Sequence, residues 1–106
     1  MFKTIRSLAA LVVVCCLAGA MSFAETGEAI YKTKCTNCHG VAGMADTSMA
    51  RALKVKPITD PEVKKMTLTQ MVEAVRNGMG KMQPYKSSLS DAEIKGSVEH
   101  FRAFLK

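Results

Sequence analysis

Cys35-Thr36-Asn37-Cys38-His39 is the stretch whose reading decides the rest of the chain. Two thiols three positions apart lie on about one helical turn, so each can add across one vinyl group of a single planar macrocycle. The imidazole of His39, next after the second thiol, is then held where a ring nitrogen can bind the iron at the macrocycle's centre. The string is the attachment signature of a c-type haem. Rival readings ask for partners that the chain supplies poorly. A disulfide, or free thiols beside an incidental histidine, fits an exported protein. A thioredoxin-like centre needs a strand before the motif and a surrounding βαβ pattern, whereas Thr26 to Lys34 reads as helix. A zinc site takes about four ligands, and beyond residue 24 the cysteines and histidines are only Cys35, Cys38, His39 and His100, with no second cluster to complete one.

Covalent haem attachment calls for export, a second axial ligand and supporting helices, and each has a sequence counterpart. Residues 1–24 read as a signal peptide rather than part of the fold. Lys3 and Arg6 give a positive start, Leu8 to Leu17 is unbroken apolar sequence, and small residues follow. Cleavage is expected after Ala24, with Ala20 as a second candidate. The ten apolar residues fall short of the roughly 20 that cross a bilayer, so no stable membrane span is expected, although retention as an anchor stays open. Cys15 and Cys16 lie inside this run and read as filler.

Removing 24 of the 106 residues leaves 82, room for one small domain, 25–106. A chain this short buries little core unaided and usually needs a metal, a cofactor or a disulfide. It has no tryptophan, so an attached haem would supply apolar bulk that its own side chains do not. With Lys3 and Arg6 gone, 13 of the 15 basic residues face nine acidic ones, a net +4. That charge is mild and has no basic run interleaved with aromatics, which argues against nucleic acid.

Helix signals recur along the domain. Thr26 caps a first helix expected to reach Cys38, with Glu28 in its first turn. Gly40 and Gly43 then break it. Asp46 or Thr47 can cap a turn over Met49 to Leu53, and Asp60-Pro61-Glu62 opens another short helix. Thr67 with Gln70 makes a capping box ahead of Leu68, Met71, Val72 and Val75 at helical spacing, and Gly78 ends that helix. Ser90 with Glu93 makes a second box, opening a final helix expected to run to about Leu105 with Ile94, Val98, Phe101 and Leu105 as its apolar stripe. His100 lies off that stripe and reads as a surface histidine. Between these helices, Gly78 to Tyr85 cannot be helical. A methionine in such a loop is unusual, because methionine normally fills cores, and this loop holds both Met79 and Met82.

Taken together, Gly27-Glu28-Ala29-Ile30-Tyr31, Cys35 to Gly40, Gly80 to Tyr85 and Leu89 to Ile94 resemble a class I cytochrome c of the small bacterial, soluble, single-haem type. The resemblance covers residues 25–106. It implies an all-α small cytochrome c fold, about three to five helices around one covalently attached haem c, with the first and last helices crossing. It implies that Cys35 and Cys38 carry the thioether bonds, that His39 is the proximal iron ligand, and that Met82 gives its sulfur to the opposite face. The family usually has proline directly after that methionine. Here Gln83 intervenes before Pro84, which leaves Met79 as the competing ligand. Relatives also pair the first and last helices through a glycine and aromatics, for which Gly27, Tyr31, Val98 and Phe101 stand ready. A proline carbonyl in relatives accepts the histidine's other N–H, and Pro57 is the candidate here.

With both axial sites filled, the iron has no open position for substrate. Sulfur favours the reduced metal, so a His/Met pair raises the potential relative to two histidines. The expected function is therefore periplasmic one-electron transport between a donor and an acceptor by a monomeric carrier, not an enzyme. Lys54, Lys56, Lys81 and Lys86 fall where the resemblance puts the exposed haem edge, which suits partners with acidic surfaces. The alternatives are a haem subunit fixed to a larger dehydrogenase or oxidase, and a peroxidase-like or redox-sensing haem protein with Met82 detached.

Overall fold

Side-chain caps decide where most of the helices begin. In the computed structural model, which describes residues 25–106, the Thr26 hydroxyl accepts the Ala29 N–H and starts α1, Gly27–Ile30. The expected signal peptide and its cleavage site lie outside the described residues. The chain continues from α1 without a break through a π-helical turn, Tyr31–Cys35, into α2, Thr36–His39, and stops at Gly40 with φ +84°. The expected first helix thus starts where the sequence placed it, reaches one residue beyond Cys38, and carries one wide turn. In that turn the Thr33 hydroxyl donates to the Ala29 carbonyl at 3.0 Å, and the Thr36 hydroxyl to the Lys32 carbonyl at 2.8 Å. Those bonds occupy carbonyls around the point where an α-helix gives way to i→i+5 pairing.

Thr47 caps α3, Ser48–Leu53. Asp60 accepts from the Glu62 N–H and, with Pro61 in the first turn, opens α4, Pro61–Lys64. Both expected capping boxes are present. Thr67 and Gln70 satisfy each other's backbone at the start of α5, Leu68–Asn77, and Ser90 and Glu93 do the same for α6, Asp91–Ala103. α6 is shorter than its apolar spacing predicts. It ends at Ala103, which leaves Leu105 41% exposed. Phe104 takes the inward place instead, against Phe101 and Tyr31.

The first and last helices pack together, and the contact is made at a pair of glycines. A Cβ on Gly27 would fall onto the Gly96 carbonyl, so the two backbones touch. On either side of this point Ile30, Tyr31, Ile94 and Val98 are buried. α5 packs against the same last helix and completes a core of Ile58, Met71 and Val98. The Arg102 guanidinium reaches from α6 to the Met66 carbonyl at 2.8 Å and ties down the entry to α5. With α1, the π turn and α2 taken as one continuous body, the described residues form five helices. The only strand-like pairing among them is an isolated bridge between Met79 and Met82. The all-α expectation holds. No helix among the described residues is long and apolar enough to cross a membrane.

Candidate haem-attachment site

Cys35 closes the π turn, and Cys38 and His39 follow on α2, so the helical body places all three side chains within two consecutive turns. Both cysteines are free and half-buried. Burial pushes the Cys35 thiol up to about 11, against the pull of Lys34 and with a smaller push from Cys38. It therefore stays a protonated thiol at neutral pH rather than a thiolate ready for disulfide exchange.

His39 is largely enclosed, with its ring 5.2 Å from that of Phe101. Burial lowers its pKa and keeps the imidazole neutral, the form that has a lone pair to give a metal. Its Nδ1 is sealed from solvent with no hydrogen-bond partner. The Pro57 carbonyl, the expected acceptor, does not bond it, and accepts the Asp60 N–H at 2.9 Å in a turn leading into α4. A buried polar atom without a partner is costly in a finished structure, and here it belongs to the residue that the motif assigns to the iron.

The turn after His39 is pinned from two directions. The His39 carbonyl accepts the Ala45 N–H at 2.9 Å, and the Gly40 carbonyl accepts the Tyr31 hydroxyl at 2.6 Å. Gly40 and Gly43 both take positive φ. A side chain on Gly43 would press on Phe101, Phe104 and Ile58 at 3.0–3.2 Å, so the glycine lets the attachment turn lie directly on the core. Among the described residues no cluster of three or more His, Cys, Asp or Glu could hold a metal ion. The donors present are two thiols and one imidazole, a set suited to a macrocycle that brings its own four nitrogens to the iron. The residues fit a covalently attached haem.

The methionine loop is a tight hairpin. The Met79 and Met82 backbones exchange both hydrogen bonds, 3.1 and 2.9 Å, around Gly80 and Lys81. Gly80 at φ +57° supplies the positive φ that a two-residue turn of this kind requires. A directly opposed pair projects its side chains to one face, so both sulfurs lie on the same side of the hairpin. They differ in cover. Met79 is 57% exposed, at the end of an open groove that Val63, Met66 and Ala74 also line, whereas Met82 is half-buried. The Tyr85 and Lys86 N–H groups donate to the Val75 and Arg76 carbonyls and anchor the loop to α5. A long hydrogen bond, 3.5 Å, from the Tyr85 hydroxyl to the Lys34 carbonyl joins the loop to the attachment helix beside Cys35.

Two features of the site had no sequence signal strong enough to read. Gly96 was not distinguished, because a mid-helix glycine looks like a weak residue until its partner is known. His100, expected at the surface, is half-buried, with its ring 5.2 Å from Tyr31 and 5.1 Å from Phe104. The helix crossing brings Tyr31 under a position that the α6 stripe alone leaves facing out.

An all-helical body that carries two thiols and an imidazole at this spacing is a c-type cytochrome domain. The chain belongs to the family described as cytochrome C oxidase, cbb3-type, subunit III, whose pattern matches residues 22–100. Among solved structures it is similar to the KustC0563 c-type cytochrome, at 29% identity and a TM-score of 0.68, over 76% of this chain and 98% of that one. A tyrosine-to-phenylalanine mutant of Kustc0563 matches at 28% identity and a TM-score of 0.67, over 76% of this chain and 99% of that one. No curated protein matches the chain.

Proposed function

We propose that this protein is an exported single-haem electron carrier. Cys35 and Cys38 would hold the haem by thioether bonds, and His39 and Met82 would ligate its iron. The group supplies a reversible one-electron couple, and everything else is set by the chain. The observation that carries the reading is the enclosed, neutral His39 with an unpartnered Nδ1, one residue after a pair of free, half-buried thiols. Met82 is preferred to Met79 because it is the more covered of the two sulfurs on the hairpin face. With His39 and Met82 both given to the iron, the group would supply electron transfer rather than substrate turnover.

The chain's own contribution is to orient and to exclude water. The π turn and the Tyr31 strut set the attachment segment, Phe101 backs the imidazole, and the anchored hairpin presents sulfur. Periplasmic localisation follows from the signal peptide read in residues 1–24. Lys54, Lys56, Lys81 and Lys86 are all exposed, which suits a donor or acceptor with an acidic surface. Steering of this kind raises encounter rates more than affinity.

The family's description as an oxidase subunit favours a second reading, a haem subunit held in a larger complex. Against it stands the likeness to a chain that is matched over almost its whole length by this one domain. Size-exclusion of native material separates a free monomer from a bound subunit. The haem reading is tested by exporting the protein alongside haem-attachment machinery, then extracting it with acid acetone. Colour that stays with the denatured chain supports thioether bonds, and colour that moves into the solvent overturns them.

A further inference from the structure

Tyr31 is 2% exposed, yet it carries a hydroxyl into the core. Phenylalanine would fill the same space, and burying a hydroxyl is unfavourable unless it is bonded. The bond it makes is specific. Its hydroxyl donates to the Gly40 carbonyl at 2.6 Å, across the whole attachment segment. Tyr31 is the first residue of the π turn, and Gly40 is the residue directly after His39. The hydrogen bond therefore closes a loop that contains Cys35, Cys38 and His39. The ring is fixed independently, 6.0 Å from Phe101, 5.4 Å from Phe104 and 5.2 Å from His100. Phe101 in turn lies against His39. Besides Tyr31, the Gly40 carbonyl has only the Gly43 N–H, at a longer 3.3 Å.

We propose that Tyr31 is a positioning residue for the haem iron: its hydroxyl holds the Gly40 carbonyl, and with it the turn that fixes the His39 ring, and keeps water from that turn. The proposal rests on the haem reading above. Two consequences of losing the hydroxyl have the same sign. The Gly40 carbonyl keeps only its longer bond from the Gly43 N–H, so its negative end is less compensated beside the iron ligand, and the lone pair that the hydroxyl vacates draws water in. Both favour the positively charged ferric state, so the reduction potential falls.

The test uses the exported holoprotein and two variants. Tyr31→Phe keeps the ring contacts and removes only the hydroxyl. Ser90→Ala removes the α6 cap, far along the chain from the attachment turn, and matches it as a purely structural loss. Reduction potential, ferric electron paramagnetic resonance and the denaturation midpoint are read for all three proteins. The expected result is a lower potential and shifted ferric g-values in Tyr31→Phe, with both unmoved in Ser90→Ala although its midpoint also drops. A Tyr31→Phe protein that loses only midpoint, with potential and g-values of the parent, overturns the proposal. Loss of colour from the denatured parent protein in acid acetone would instead overturn the haem reading, independently of Tyr31.

Discussion

Gly27 and Gly96 meet backbone to backbone where the first and last helices cross, but they do not share the space equally. A methyl group on Gly27 lands on the Gly96 carbonyl and α-carbon, while one on Gly96 stands 3.3 Å from the Gly27 α-carbon. Backbone cannot swing aside as a side chain can. Gly27→Ala is expected to force the helices apart and to lower stability by about 3 kcal/mol or more, at the upper end for overpacked sites. Gly96→Ala meets a contact that small shifts relieve, and gains up to about 1 kcal/mol of helix propensity, so it should be close to neutral. Denaturant midpoints of the two holoproteins check the asymmetry. Equal losses would mean that the crossing is not set by the Gly27 side.

The ligand assignment separates two methionines on one hairpin face. Ferric haem with a sulfur ligand gives a weak near-infrared charge-transfer band. Met82→Ala should abolish it, and Met79→Ala should leave it in place with little change in potential. The opposite pattern would move the ligand to Met79, the more exposed sulfur.

The α6 capping box gives a pH dependence with a definite sign. The Glu93 carboxyl is held below its usual value by the Ser90 N–H and then by the Ser90 hydroxyl. A carboxylate whose pKa is lower in the folded than in the unfolded state stabilises the fold above the unfolded value. That stabilisation is lost as pH falls from the ordinary carboxylate value of 4.5 through the lowered one. Glu93→Gln keeps an acceptor for the Ser90 N–H but does not titrate. Its melting temperature should therefore fall less than that of the parent protein between about pH 6 and pH 3, the range around a carboxylate pKa. Parallel curves would assign the acid sensitivity to other groups.

Electrostatic steering makes the fourth prediction. Lys81 sits at the tip of the methionine hairpin, exposed and between the two candidate sulfurs. Electron exchange with the physiological partner should slow as ionic strength passes about 0.1 M, where the Debye length is about 10 Å. Lys81→Glu should slow it at low salt and leave the visible spectrum unchanged. Rates indifferent to both would assign the lysines to solubility alone.

Much of this architecture was legible because its signals are local. A capping box needs only two residues three apart, and the pairs Thr67/Gln70 and Ser90/Glu93 each formed as their spacing implied. The attachment motif is equally self-contained. What escaped the sequence depends on two segments meeting. Gly96 matters only because Gly27 arrives against it, and His100 is covered only because Tyr31 lies beneath. The apolar stripe of α6 ran on to Leu105 on paper, yet the helix ended at Ala103 and Phe104 turned inward, towards aromatic neighbours that the spacing cannot see. The Pro57 carbonyl accepts the Asp60 N–H that leads into α4, and the His39 Nδ1 is without a partner, a pairing that again depends on how two segments meet.

The wide turn from Tyr31 to Cys35 acts as a phase shifter in the first helical body. One added residue rotates everything after it by about 100° relative to everything before, since an α-helix turns through 360° in 3.6 residues. Gly27, Ile30 and Tyr31 can therefore pack on the last helix while the two thiols are turned relative to that face, and His39 comes back to the last helix at Phe101. A deletion of Thr33 would remove the extra residue, with the hydroxyl that bonds the Ala29 carbonyl, and would turn the thiols relative to the face that packs on the last helix. The number of residues between Tyr31 and Cys35 thus sets the direction of the thiols relative to the packed face.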